Sequence, residues 1–216
     1  LSKYLNVRHS LFVNSATSAL ELAFRVKNFK KGSEVIVPNF TYTSSALGAL
    51  YNNLKIKLVD VNPENGLICV DSIEKSINSK TVAIVAVDYA GIPADMNKIN
   101  KIAGKYNLYV VHDTAQSIGS EYYGKKVGSL ADVSTFSFHG TKNLTTGEGG
   151  ALTTNNDEIA SKIKILREKG TDKFSFLTDF KTRGYYEYFD IGMSYVQSNL
   201  NGALGITQLS TLARLN

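Results

Sequence analysis

The sequence predicts an α/β fold: a mainly parallel sheet with helices on both faces. Strand-like and helix-like segments alternate along the 216 residues, the rhythm of parallel strands joined by crossover helices. Two runs, Val82 to Val87 and Leu108 to Val111, are apolar without polar alternation, as in strands covered on both sides.

The elements follow in chain order. Ser2 to Leu5 reads as a helix, and Leu11 to Asn14 as a short strand ending in Asn-Ser. From Thr17 to about Lys27, Leu20, Ala23 and Phe24 share one helical face. Glu34 to Val37 is β-branched and stops at Pro38; Thr43 to Tyr51 is helical. Ile56 to Val61 is a strand, Pro63-Glu64-Asn65-Gly66 a turn, and Asp71 the expected cap of a helix reaching about Asn78. The strand Val82 to Val87, the helix Met96 to Tyr106 and the strand Leu108 to Val111 come next. Strands at Val133 to Phe138 and Ala151 to Thr154 flank the loop Gly147-Glu148-Gly149-Gly150. Asp157 to Lys169 is a helix stopped by Gly170, and Phe174 to Phe189 is aperiodic, an expected long ordered loop. Apolar residues at 200, 203, 204, 209, 212 and 215 give Asn199 to Leu215 helical spacing. That unfinished pattern, with the start at Leu1, leads us to expect a piece of a longer protein.

Composition excludes several classes. Apolar residues at 43% and charged residues at 20% are those of a folded globular chain, not a disordered or disulfide-stapled one. The net charge of +5 is spread out, its densest basic pairs being Lys30-Lys31 and Lys125-Lys126, so no nucleic-acid partner is expected. The longest apolar run, Val82 to Val87, falls far short of the roughly 20 residues of a bilayer span, so no membrane partner is expected either. Cys69 is alone and reads as a small semi-buried residue in a strand; no metal site is expected.

In open α/β sheets, ligands bind beyond the carboxyl ends of the strands. After the first strand, Thr17 and Ser18 open a helix whose free amides suit a phosphate; a plain cap by Ser15 is the alternative. After Val111 come Asp113 and Gln116, the acid being either a helix cap or the partner of a ligand cation. After the next strand, Ser137 to Lys142 brings His139 and Lys142 into a loop of small residues. There the lysine is either a solvated surface group or a nucleophile. No Walker loop and no Gly-x-Gly-x-x-Gly follows any strand. Taken together, a lysine, an acid, an amide and an anion cradle at strand ends match the needs of pyridoxal phosphate, with Tyr42 placed to cover its ring.

The segments Asn14 to Leu20, Pro38 to Tyr42, His112 to Gln116, Ser137 to Lys142 and Gly147 to Gly150 resemble, in order and spacing, the DegT/DnrJ/EryC1/StrS family of pyridoxal-phosphate-dependent sugar aminotransferases. Arg167 to Asp172 and Asp190 to Tyr195 look most like the branch that makes dTDP-4-amino-4,6-dideoxygalactose. The resemblance implies aspartate-aminotransferase fold type I, with residues 1–216 as a partial cofactor-binding large domain lacking an N-terminal segment and a C-terminal small domain.

The resemblance also implies residue roles. Lys142 condenses with the cofactor aldehyde and moves the proton, and Asp113 pairs with the ring nitrogen. Gln116 meets the phenolic oxygen, and Tyr42 stacks on the ring. Thr17, Ser18 and Ser137 hold the phosphate. Ser194 stands where the family often has an Asn that reaches the phosphate of a neighbouring subunit, and Asp88 where it often has His; Asp88 itself reads as a capped strand end. Family dehydratases replace the lysine by His, so Lys142 implies transamination. The implied reaction moves an amino group from glutamate to a dTDP-4-keto-6-deoxyglucose type of sugar nucleotide, in the cytoplasm, for O-antigen and other surface lipopolysaccharide, by a homodimer. The alternatives are a 3-amino or other keto-sugar aminotransferase, or an inactive truncated remnant.

Overall fold

The computed structural model describes residues 1–173 and 185–212. Its strands are β1 (His9–Val13), β2 (Glu34–Pro38), β3 (Lys55–Val59), β4 (Thr81–Val87), β5 (Tyr109–Asp113), β6 (Glu121–Tyr122), β7 (Lys125–Lys126), β8 (Val133–Ser137) and β9 (Gly150–Thr154). Its helices are α1 (Ser2–Leu5), α2 (Ala16–Arg25), α3 (Ser44–Tyr51), α4 (Val70–Ser76), α5 (Met96–Tyr106), α6 (Asp157–Arg167) and α7 (Asn199–Thr211). Seven strands form one sheet in the order β1-β9-β8-β5-β4-β2-β3, and β6 and β7 form a separate hairpin. Every pairing among β3, β2, β4, β5 and β8 is parallel, while β9 runs antiparallel to both β8 and β1.

Alternation along the strands explains the two covered faces. Ala83, Val85 and Val87 of β4 join Leu20 and Phe24 of α2 and Ile163 of α6 in one core. Ile84 and Ala86, between them, join Met96, Ile99 and Ile102 of α5 in the other. A third cluster, with Leu5, Phe136, Phe138 and Leu212, covers the β8–β9 end. Complete burial of a Phe or Leu side chain contributes about 1.5–3 kcal/mol, so these clusters dominate the stability.

Side chains set the helix starts. Ser15 Oγ accepts the Ser18 N–H at 3.1 Å to open α2, and Asp95 and Asn156 do the same for α5 and α6. Asn107 ends α5 in the left-handed region at φ 53°. A Cβ on Gly48 would sit 2.6 Å from the Leu20 carbonyl carbon, so this glycine sets the close crossing of α3 over α2.

Several expectations are corrected. Asp71 lies inside the first turn of α4 and is not its cap; Cys69 holds that position, so it lies at a helix start and not in a strand. β5 runs on through His112 and Asp113, and turns follow it where a capped helix was one reading. The β6–β7 hairpin was not anticipated, because four polar or aromatic residues carry no apolar period. Of the aperiodic segment Phe174 to Phe189, residues 174–184 lie outside the described residues, as do residues 213–216. No helix among the described residues is long and apolar enough to cross a membrane.

Candidate active site

Beyond the carboxyl ends of β4, β5 and β8 lies a cavity of about 330 Å³, closed on one side by the first turns of α2 and α3. Thr17, Tyr42, Asp113, Gln116, Ser137 and Lys142 all lie on its wall. Six of the eight residues singled out from the sequence therefore meet in one place. Ser18 and Ser194 are not on that wall. Ser18 is buried beside Ser15, its Oγ 3.0 Å from the Ser15 Oγ, and Ser194 pairs through its backbone with Glu168.

Asp113 is the last residue of β5 and shares the parity of Val111, so it faces α2 and α3. Its carboxylate is only 5% exposed. Ser45 Oγ donates to Oδ2 at 2.7 Å, and the Ala115 N–H to Oδ1 at 3.2 Å. Burial pushes this carboxyl above the usual range, while those two donors pull it back. Asp113 forms no salt bridge among the described residues. A buried acid of this kind is costly unless a ligand brings positive charge.

Lys142 sits half-buried in the loop after β8, its backbone N–H bonded to the His139 carbonyl at 3.0 Å. Its amine has no hydrogen bond or ion pair among the described residues and lies on the cavity wall. Gln116 Oε1 accepts the Ala90 N–H at 3.0 Å, which leaves its NH₂ group to donate elsewhere. Ser137 Oγ accepts the His139 N–H at 3.4 Å, so its own proton remains available. Thr17 Oγ1 lies 2.7 Å from Ser44 Oγ. Tyr42 is 74% exposed and forms an open lip. His139 Nδ1 accepts the Thr141 N–H at 3.3 Å, so the neutral ring carries its proton on Nε2, 3.6 Å from Glu148.

Two features escaped the sequence reading. Ser44 and Ser45 are ordinary helix residues until the fold brings Thr17 and Asp113 against them. Asp88, read as a capped strand end, is the hub of a buried cluster on the opposite sheet face with His112 and Ser117.

The donor set fits the expected pyridoxal phosphate. An unpartnered amine suits an aldehyde, and a buried acid lacking a cation suits a protonated ring nitrogen. A free amide NH₂ suits a phenolic oxygen, and a helix start with nearby hydroxyls suits a phosphate.

Comparison with known proteins gives the following. A sequence profile of the DegT/DnrJ/EryC1/StrS aminotransferase family matches residues 1–216. The UDP-4-amino-4,6-dideoxy-N-acetyl-beta-L-altrosamine transaminase of Campylobacter jejuni is 39% identical over 215 residues, covering 98% of this chain and 55% of that protein. The structure of Helicobacter pylori PseC, an aminotransferase involved in the biosynthesis of pseudoaminic acid, superposes with a TM-score of 0.92 at 34% identity, over 99% of this chain and 56% of that one. The E. coli GDP-4-keto-6-deoxy-D-mannose-3-dehydratase with bound hydrated PLP superposes with a TM-score of 0.90 at 25% identity, over 99% and 58%. The chain spans about half the length of the curated relatives it matches.

Proposed function

The chain belongs to the DegT/DnrJ/EryC1/StrS aminotransferase family, and on that premise we propose that it forms the pyridoxal-phosphate-binding part of a nucleotide-sugar aminotransferase. The observation that carries the reading is the Lys142 amine, without a hydrogen bond or ion pair among the described residues, on the same cavity wall as the buried Asp113 carboxylate.

When bound, pyridoxal phosphate supplies an aldehyde that takes up an amine and a ring that accepts the electron pair released at the substrate carbon. The chain supplies the rest. Lys142 Nζ would hold the cofactor through its aldehyde and, when free, would serve as the base that takes and returns the proton at the substrate carbon. Asp113 would keep the proton on the ring nitrogen. The Gln116 NH₂ would donate to the phenolic oxygen. Thr17 and Ser137, with the α2 amides, would hold the phosphate, Ser18 being turned to Ser15 instead, and Tyr42 would cover the ring from the solvent side. Ser194, off the cavity wall, fits a contact to the phosphate site of a second copy.

The proposed substrates are glutamate and a 4-keto-6-deoxyhexose carried on a nucleotide, in surface-polysaccharide synthesis in the cytoplasm, by a homodimer. The branch motifs favour dTDP as carrier, whereas the similar proteins are named for UDP and GDP sugars. Incubation with glutamate and each of the three carriers, followed by mass detection of the amino sugar, identifies which is used. The cofactor reading is tested by mixing the chain with pyridoxal phosphate. A near-visible absorbance band is expected, and Lys142→Ala should abolish it; a wild-type chain without the band overturns the reading.

A further inference from the structure

We propose that the consecutive serines Ser44 and Ser45 are positioning residues that brace opposite ends of the cofactor site, Ser44 the phosphate end and Ser45 the ring end. The inference rests on the cofactor reading above and deepens it. Both serines lie in the first turn of α3 and are buried, at 7% and 0% exposure. Ser44 Oγ lies 2.7 Å from the Thr17 hydroxyl, in the first turn of α2. Ser45 Oγ donates to Asp113 Oδ2 at 2.7 Å. With its proton committed to the acid, Ser45 accepts from Thr41 Oγ1, 2.8 Å away on the cavity wall.

One helical turn thus ties the start of α2 to the end of β5, far apart in the chain. The Ser45 hydroxyl and the Ala115 N–H are the donors holding Asp113, and each takes a different carboxylate oxygen. Together they fix the plane of the carboxylate, leaving it the second lone pair of each oxygen. Ser44 fixes the Thr17 rotamer and so the direction of the hydroxyl offered to an anion. Both tethers start from adjacent residues of one rigid helix, so the span between acid and hydroxyl is set by α3. Close packing of α3 on α2 at Gly48 keeps that span constant.

The proposal separates two ligands, pyridoxal phosphate and pyridoxal, which lacks the phosphate. Their dissociation constants for the purified chain are read from the near-visible band or from quenching of protein fluorescence. Ser45→Ala is expected to weaken both ligands about tenfold, the ordinary worth of a hydrogen bond to a charged group, leaving the preference for the phosphate form unchanged. Ser44→Ala is expected to lower that preference about fivefold while leaving pyridoxal affinity within about twofold. Ser45→Thr and Ser44→Thr, which keep the hydroxyl, should bind both ligands like the wild type. Should Ser45→Ala fail to fold, Ser45→Cys keeps the volume, weakens the donor and carries the same expectation. In an Asp113→Asn background, Ser45→Ala should have little further effect on either ligand. Equal weakening of both ligands by both alanine variants, or no change in either, overturns the brace while the Lys142-dependent band of the wild type leaves the cofactor reading intact. Absence of that band from the wild type overturns both.

Discussion

His112 Nε2 lies 2.6 Å from Asp88 Oδ1, and neither side chain is exposed at all. The same carboxylate accepts Ser117 Oγ at 2.6 Å and the Ala94 N–H at 2.9 Å. Three donors from three segments therefore converge on one buried acid, which ties the ends of β4 and β5 to the turn leading into α5. Asp88→Ala strands all three and is expected to cost about 3–5 kcal/mol. Urea denaturation followed by circular dichroism measures this as a lower midpoint with an unchanged slope.

Gly150 opens β9 where the strand passes the start of α2. A Cβ there would run into the backbone carbonyl of Ser15 and the amide nitrogen of Ala16, neither of which is a flexible side chain. Gly150→Ala is expected to push the first turn of α2 away from the sheet. That should cost about 2 kcal/mol or more of stability and weaken binding of pyridoxal phosphate. Gly104→Ala is the control, because nothing lies within 4 Å of a Cβ there. This variant should gain about 0.5–1 kcal/mol of helix stability.

The Tyr195 hydroxyl donates to Glu21 Oε2 at 2.7 Å and ties residues 190–195 to α2. Burial first, and then that hydrogen bond, push the phenol up to about 12. An unfolded tyrosine titrates near about 10. The folded chain thus holds the phenolic proton more tightly, so the stabilisation is complete below about pH 10 and is lost as pH rises through the folded value. Tyr195→Phe should be less stable at neutral pH by about 1 kcal/mol. Melting temperatures of the two proteins should converge between about pH 10 and 12.

What the sequence disclosed followed from burial. Val82 to Val87 lacks a polar alternation because both sheet faces are covered, and that continuous apolar run locates β4 to within a residue. Asp113, Lys142 and Gln116 were legible because polar groups at strand ends stand out against apolar runs. Strand direction was not legible: β9 is as fully buried as β5 and β8, which run parallel to each other, and only its pairing shows that it is reversed. Nor were Ser44 and Ser45, since a hydroxyl in a helix carries no local mark of a partner 68 residues away in the chain. The hub role of Asp88 was hidden for the same reason, its donors coming from beyond its own strand.

β9 is the only strand that pairs with β1 among the described residues. Val13 pairs with Gly150, and Asn14, Ser15 and α2 follow directly. That pairing joins segments far apart in sequence, whereas β2 to β5 pair with strands closer along the chain, so the β1–β9 contact carries the larger loop-closure cost. The α2 side of the cavity hangs from that distant pairing, while Asp113 is carried by β5, held between β4 and β8, so the two walls of one pocket rest on separate parts of the sheet.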